Sequence, residues 1–485
     1  MIKKINSHIT FYLFFTLSFL TINTEIRCQE SLGESLYDNH CSDCHSVSLR
    51  GSAHGSSLIG KEFLAKWEKD GLNSLFEYTK ENMPPGKVGS LDNTDLLEIH
   101  NYILASNEIS NDDGFVSFSD PSTIDQPEDR VSKFKNKRLN NFQNISLQEI
   151  NYPPDSDWLS WRRTTDGKGF SPLKIINTKN IKNIKLSWSL TMSEGSNQIT
   201  PIVSQGVMFL TNPGNIIQAL NAENGELIWE YKYSFPKASK TLGGPTRNIA
   251  VYQDKIFLAT YDAHLIALDI RTGQLIWKTK KAKYEDGYTH TSGPIIANGI
   301  VVSGINGCER YIKEGCFITG HDPDTGKEIW RTSTIAQPED KFGNTWGETP
   351  SVFRAGGDTW IPGSYDPELN LFFIGTSQAK PWVAASRGMT PKNSALYTNS
   401  TLALNPDNGD LEWFYQHIPG ETIDMEVGFE RVLIDRKNKK YLFTVGKDGI
   451  LWKIDRENGD FIKLLETVSQ NIYKSSNQKS LDKEN

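Results

Sequence analysis

The sequence predicts two parts, a small all-α domain followed by an all-β propeller, and two observations carry that division. Near the N-terminus, Cys41-Ser42-Asp43-Cys44-His45 is followed by a stretch in which Leu96, Leu97, Ile99, Tyr102 and Ile103 recur at near-helical spacing. Further on, one eleven-residue pattern returns from Ala219 to Lys463. The bulk properties fit more than one domain: 485 residues, 37% hydrophobic and 11% aromatic with 12 Trp, can bury a sizeable core. With 59 acidic against 52 basic residues the net charge is -7, and no basic tract exceeds short patches such as Lys133 to Arg138. That argues against nucleic acid as a partner, since phosphate binding needs clustered Lys and Arg.

Residues 1–28 read as a separate unit. Lys3 and Lys4 precede an apolar run from Ile9 to Ile22, whose 14 positions are too few to span a bilayer but suit a signal-peptide core. An uncleaved anchor is the alternative reading. Thr24 to Cys28 lacks a clean small-x-small cleavage pattern, and Ile26-Arg27-Cys28 is a poor lipobox. The expectation is export to the periplasm, with no stable membrane span after cleavage. If Cys28 leaves with the leader, Cys41, Cys44, Cys308 and Cys316 remain as two close pairs, and export permits a disulfide in the second.

The motif Cys41-x-x-Cys44-His45 is a c-type haem attachment signature. Two thiols on one turn add to the two haem vinyl groups, and the next residue supplies an axial nitrogen. A half-built zinc site is the competing reading, but no second Cys or His pair stands nearby. For the sixth iron ligand, Met83 lies 38 residues after His45 in Asn82-Met83-Pro84-Pro85-Gly86, where the prolines hold the loop extended. Ser90-Leu91-Asp92-Asn93 reads as a helix start, and the periodic segment from Leu96 to Ile103 resembles the C-terminal helix of small class I cytochromes c. Residues 29–107 are expected to form that domain. Residues 108–154 lose periodicity and read as a linker rich in Asn, Asp, Ser, Lys and Pro.

From 155 to 485 the repeat dominates. Ala219 to Trp229 recurs as Ala267 to Trp277, Gly320 to Trp330 and Ala403 to Trp413, with a degenerate copy from Lys453 to Lys463. Each unit reads as a strand, an Asp/Asn-x-x-Thr/Asn-Gly turn and a second strand ending in Trp. Gaps of 48, 53 and 83 residues between the Trp positions suit propeller blades of several short strands better than helical solenoids.

These Trp-docking repeats resemble those of the quinoprotein alcohol dehydrogenases, relatives of methanol dehydrogenase. Asp157-Trp158-Leu159-Ser160-Trp161-Arg162, then Phe170 to Leu173 and Ile176-Asn177, are similar to the opening of that family's propeller. A cytochrome c placed before the propeller resembles polyvinyl-alcohol-dehydrogenase-type quinohaemoproteins. The resemblance implies an eight-bladed-type propeller that binds pyrroloquinoline quinone and Ca2+. It implies that Glu309, in Gly304-Ile305-Asn306-Gly307-Cys308-Glu309, ligates the calcium. Trp360 matches the Trp that floors the quinone ring, and Gln378, 18 residues on, stands where the family has a calcium-binding Asn. Asp424, eleven residues after Trp413, matches the catalytic base and a calcium ligand. Lys447 matches the residue that bonds the quinone carbonyls, and Arg247 one that binds a cofactor carboxylate; Thr291 and Gln198 are weaker matches. The vicinal Cys-Cys pair of methanol dehydrogenase is absent near Arg247. A Cys308–Cys316 disulfide in its place, or two buried thiols, are both open. Lanthanide use goes with an Asp two residues after the base, and here that residue is Glu426.

The implied reaction is oxidation of an alcohol by hydride transfer to the quinone, with electrons passing through haem c to a downstream cytochrome or oxidase. A cytochrome electron carrier with a non-catalytic, partner-binding propeller is the alternative. At about 50 residues per blade the stretch after Trp158 holds about six, so the sequence is expected to be a piece lacking blades.

Overall fold

The structure is a computed structural model. It describes residues 32–107 (except 48, 50–55, 61–62, 65, 68–71 and 85–86), 130–133, 138–193, 195–235, 244–309, 315–390, 392–470, 473–477 and 480–483. The leader expected over 1–28 lies outside these residues. Among the described residues no helix is long and apolar enough to cross a membrane. The chain divides into two compact units, 1–125 and 126–485.

The first unit is helical: α1 (Leu32–His40), α2 (Ser42–His45), α3 (Leu72–Asn82) and α4 (Asn93–Ala105). The start of α4 is set by Asp92, whose carboxylate accepts the Thr94 and Asp95 amides at 2.8 and 2.9 Å. Leu96, Ile99, Ile103 and Leu104 face inward and Tyr102 packs against them, as the sequence reading expects except at Leu97, which is 49% exposed. They join Tyr37, Leu49, Phe63, Leu64, Trp67 and Leu75 in one core. At Gly33 a Cβ would stand 2.2 Å from the Glu98 carbonyl, so the glycine lets α1 approach α4 closely.

Among its described residues the second unit holds five four-stranded antiparallel meanders. They are β2–β5 (Ile202–Ser204, Val207–Asn212, Ile216–Asn221, Leu227–Lys232), with β1 (Arg130–Lys133) added on the β5 edge, and β6–β9 (Ala250–Tyr252, Lys255–Ala259, His264–Asp269, Leu275–Lys280). Next come β10–β13 (Ile295–Ala297, Ile300–Ser303, Phe317–His321, Glu328–Ser333) and a short ladder of β14 (Ala355–Gly356) with β17 (Ala379–Lys380). The fourth meander is β15, β16, β18 and β19 (Ser364–Asp366, Leu371–Gly375, Ser400–Leu404, Leu411–Gln416). The fifth is β20–β23 (Val432–Arg436, Lys439–Val445, Ile450–Asp455, Phe461–Glu466). The hairpin β24–β25 (Tyr473–Asn477, Ser480–Lys483) comes last.

The repeat has a physical explanation in these sheets. In the second meander the Asp269 carboxylate accepts the Arg271 and Thr272 amides, and Gly273 takes φ 70° to close the turn. Trp229 of the preceding meander lies over that glycine and donates its indole N–H to the Ile270 carbonyl at 3.1 Å. The same docking joins Trp277 to Pro323 and Gly326, and Trp330 to Pro406 and Gly409. Trp413 covers Gly459. The first residue of each full copy is Ala or Gly because it pairs across the sheet with the Trp, as Ala219 does with Trp229. In the degenerate copy Lys453 pairs with Lys463, and no Trp needs the space.

Segments outside the repeat also join this unit. The stretch read as a linker contributes β1, while Leu139, Phe142, Ile145 and Ile150 enter the core of the first two meanders. Residues 157–169 cross between sheets. Trp158 pairs with Val203 of the first, the Thr165 carbonyl accepts Tyr365 N–H of the fourth, and the Asp166 carbonyl accepts Leu433 N–H of the fifth.

Candidate active site

In the helical unit, His45 ends α2 directly after Cys44. The His45 Nδ1 lies 2.7 Å from the Ser56 carbonyl, which can only accept, so Nδ1 carries the proton and Nε2 is left with its lone pair for a metal. Cys41 and Cys44 are half-buried and not in a disulfide. Burial, then the neighbouring Cys44, pushes the Cys41 thiol up to about 12, which keeps it protonated before haem is attached. Met83 is half-buried in the turn after α3.

In the propeller unit the site is organised by segment 355–360, which begins in β14 and turns at Gly356 and Gly357. On one side it is stitched to the 304–309 loop: Ile305 N–H to Thr359 Oγ1 at 2.9 Å, Gly307 N–H to Asp358 Oδ1 at 2.8 Å, and Gly356 N–H to the Cys308 carbonyl at 3.0 Å. On the other side Ser377 N–H meets the Asp358 carbonyl and Gly357 N–H the Gln378 carbonyl. Cys308 and Cys316 form a disulfide that closes the loop beside Glu309. Among the described residues their sulfurs lie within 4.8 Å of Asp358, but the disulfide leaves no thiolate for a metal.

Trp360 emerges at the end of this segment. The Arg247 guanidinium stands 4.8 Å from its ring centroid and donates from Nη1 to the Thr291 carbonyl at 2.7 Å. Phe429 meets the ring edge-on at 5.0 Å. Burial lowers the Arg247 pKa from its ordinary value, partly offset by Glu430 and Glu426. The indole N–H donates to Glu426 Oε1 at 2.5 Å. Glu426 Oε2 in turn pairs with Lys447 Nζ at 3.0 Å, and the same ammonium donates to Asp424 Oδ2 at 3.0 Å. Burial pulls the Lys447 pKa down, yet the bonds from Asp424 and Glu426 outweigh it and hold the ammonium above the ordinary lysine value. Asp424 adopts φ 63°, in the left-handed region that Asp tolerates better than most residues.

The structure therefore joins Arg247, Thr291, Trp360, Asp424 and Lys447 in one chain of contacts. Glu426 is the link; the motif reading names it only as the position of the lanthanide-associated Asp, not as a partner of Trp360 and Lys447. Gln198 is exposed, two residues before Thr200, whose N–H bonds the Arg247 carbonyl. Glu309 is also exposed at 58% of its side chain, and its carboxylate is bonded by Lys380 Nζ at 2.8 Å. Lys380 bonds Asp358 as well, with Nζ to Oδ2 at 3.1 Å. No sequence motif singles out Asp358 or Lys380.

Gln378 Oε1 and Asp424 Oδ1 are among the buried oxygens that have no hydrogen-bond partner among the described residues. Amide and carboxylate oxygens such as these and the Glu309 carboxylate have the donor chemistry that a hard divalent cation such as calcium takes.

Trp-docked blades, an aromatic and cationic site on their loops and a c-type haem motif earlier in the chain are features of the quinoprotein class of propellers. The sequence profile described as "Glucose/ethanol/alcohol dehydrogenase, beta-propeller domain" matches residues 158–472, and the chain belongs to that family. A second profile, "Cytochrome C oxidase, cbb3-type, subunit III", matches residues 29–103. The quinohemoprotein alcohol dehydrogenase ADH-IIG of Pseudomonas putida is 34% identical over 356 residues, 68% of this chain and 49% of the relative. The solved structure of that enzyme from strain HK5 superposes with a TM-score of 0.63 at 32% identity, covering 69% of this chain and 52% of that one. A europium-containing methanol dehydrogenase superposes with a TM-score of 0.63 at 25% identity, covering 70% and 63%. The chain spans about half the length of the curated relatives it matches.

Proposed function

We propose that the protein is an exported quinohaemoprotein alcohol dehydrogenase that oxidises an alcohol at the propeller site and passes the electrons to covalent haem c in the helical unit. The observation that carries this reading is the contact chain Arg247–Trp360–Glu426–Lys447–Asp424, in a chain that also bears Cys41-x-x-Cys44-His45. When bound, pyrroloquinoline quinone supplies a two-electron hydride acceptor, and calcium supplies a Lewis acid held by Glu309, Gln378 and Asp424.

The residues divide the remaining work. Asp424, held by Lys447 through Oδ2, is the residue that takes the hydroxyl proton of the alcohol. Lys447 places a fixed positive charge beside the developing negative oxygen, and Glu426 keeps the ammonium in position. Arg247 offers its guanidinium to a carboxylate of the cofactor, and the Trp360 face supports a flat ring system. His45 Nε2 and the Met83 sulfur would hold the haem iron, which would supply a one-electron carrier towards a periplasmic cytochrome or oxidase.

The test is the haem α-band of periplasmically expressed, haem-loaded protein reconstituted with pyrroloquinoline quinone and Ca2+. Addition of alcohols is expected to reduce the haem, and Asp424→Ala to slow this by about 100-fold or more, the range for loss of a general base. Haem that stays oxidised with every alcohol, or reduction unaffected by Asp424→Ala, would overturn the proposal.

A further inference from the structure

We propose that the Lys380 ammonium is a built-in competitor for the cation site: it holds Glu309 in the metal-free chain and must leave before a divalent cation binds there. This rests on the reading of Glu309 and Gln378 as cation ligands given above. Nζ lies 2.8 Å from Glu309 Oε1, 3.1 Å from Asp358 Oδ2 and 3.3 Å from Asp358 Oδ1, so one ammonium serves two carboxylates. The Lys380 side chain is 19% exposed and that of Glu309 58%, so the lysine is the inner member of the pair.

The lysine cannot retreat by moving its backbone. Lys380 is registered against Ala355, and Gln378, two residues earlier, holds Gly357 through its carbonyl. Only its side chain can swing away. The arrangement is also unfinished: Gln378 Oε1 and Asp424 Oδ1 stay buried without partners, acceptors that an ammonium bonded to Glu309 and Asp358 leaves unused. A divalent cation takes such oxygens together with a carboxylate. Two cations on one Glu309 carboxylate repel strongly at such short range. The apparent affinity for the cation is therefore lowered by the fraction of molecules in which Lys380 occupies Glu309.

Calcium titration calorimetry on the full chain tests this, using the wild type, Lys380→Met and Lys380→Arg. Lys380→Met is expected to bind Ca2+ about tenfold more tightly or better, while Lys380→Arg stays within about threefold of wild type. In the wild type, acylation of Lys380 by an amine-reactive reagent, read by peptide mass spectrometry, is expected to rise when Ca2+ is added. That readout decides the matter alone if Lys380→Met does not fold. Calcium binding that is equal or weaker in Lys380→Met would sink the inference and leave the cation site standing, as would wild-type labelling indifferent to bound Ca2+. No calcium binding by any of the three proteins would overturn the cation site and the inference together.

Discussion

Glu426 makes two side-chain groups into one site. Its Oε1 accepts the Trp360 indole N–H and its Oε2 the Lys447 ammonium, and the residue is 7% exposed. A buried carboxylate is tolerable because both oxygens are engaged. Glutamine keeps the shape but has a single acceptor oxygen, so Glu426→Gln must abandon either the indole or the ammonium. The expected loss is about 1–3 kcal/mol of stability, read by urea denaturation, with weaker binding of pyrroloquinoline quinone read by fluorescence. Unchanged stability would mean that Glu426 does not make these bonds in solution. Lys447, with its pKa raised, stays paired through neutral pH. Its contribution is present below the ordinary lysine value of about 10.4 and is lost only as the pH rises beyond it. Trp360, Asp424 and Lys447 were legible because the family resemblance fixes them against Trp landmarks. The linking role of Glu426 was not, although its position two residues after the base was noted, because its bond to Trp360 spans 66 positions and arises from packing alone. Lys380 carried even less signal, since a lysine two residues after Gln378 looks like any solvated charge.

The blade-to-blade joint is the element on which the propeller unit depends. Gly273 answers two demands, a φ of 70° and a Trp229 ring atom 2.6 Å from where a Cβ would be. Gly214, with φ 87°, answers only the first, since nothing lies within 4 Å of its Cβ position. Gly214→Ala is therefore expected to cost about 1 kcal/mol, the left-handed penalty alone. Gly273→Ala should cost about 3 kcal/mol or more, because Trp229 must also move. Equal midpoint shifts in denaturant would show that the docking contributes nothing beyond backbone conformation. The parts of this joint were readable because each copy carries an Asx turn, a glycine and a Trp within eleven residues, although the Trp docks on the glycine of the next copy. Trp188 was missed for the same reason. It docks on Gly225 and donates to the Ala222 carbonyl at 3.1 Å, but the residues before it lack the turn.

Across the whole propeller unit, what the sequence hid is how distant segments tie the sheets together. Residues 157–169 reach three meanders, and Arg162 fixes the far end through Glu430 at 2.5 Å. No periodicity marks such a strap. The meanders also share buried imidazoles that the repeat does not announce: His290 before β10, His321 on β12 and His417 after β19. Each suits its neutral form. His290 Nδ1–H donates to the Thr260 carbonyl at 2.8 Å and His321 Nδ1–H to the Gly326 carbonyl at 3.0 Å, while His417 Nε2 pairs with the Thr401 hydroxyl at 2.8 Å. Burial first, then Lys281 for His290 and Arg431 for His417, pulls both well below the ordinary histidine range. Burial and Lys281 lower His321 to about 4. The unfolded chain takes up protons near its ordinary value of about 6.5, where the folded chain refuses them. Stability from these groups is therefore complete above about pH 6.5 and is lost as the pH falls from there towards about 4, by up to about 1.4 kcal/mol per pH unit for each imidazole. Urea midpoints measured from about pH 7.5 to 5 should fall accordingly, and His321→Gln should flatten the slope by about a third even if it lowers every midpoint. A midpoint that holds constant over that range, or a slope untouched by His321→Gln, would mean that these imidazoles are reached by protons without unfolding.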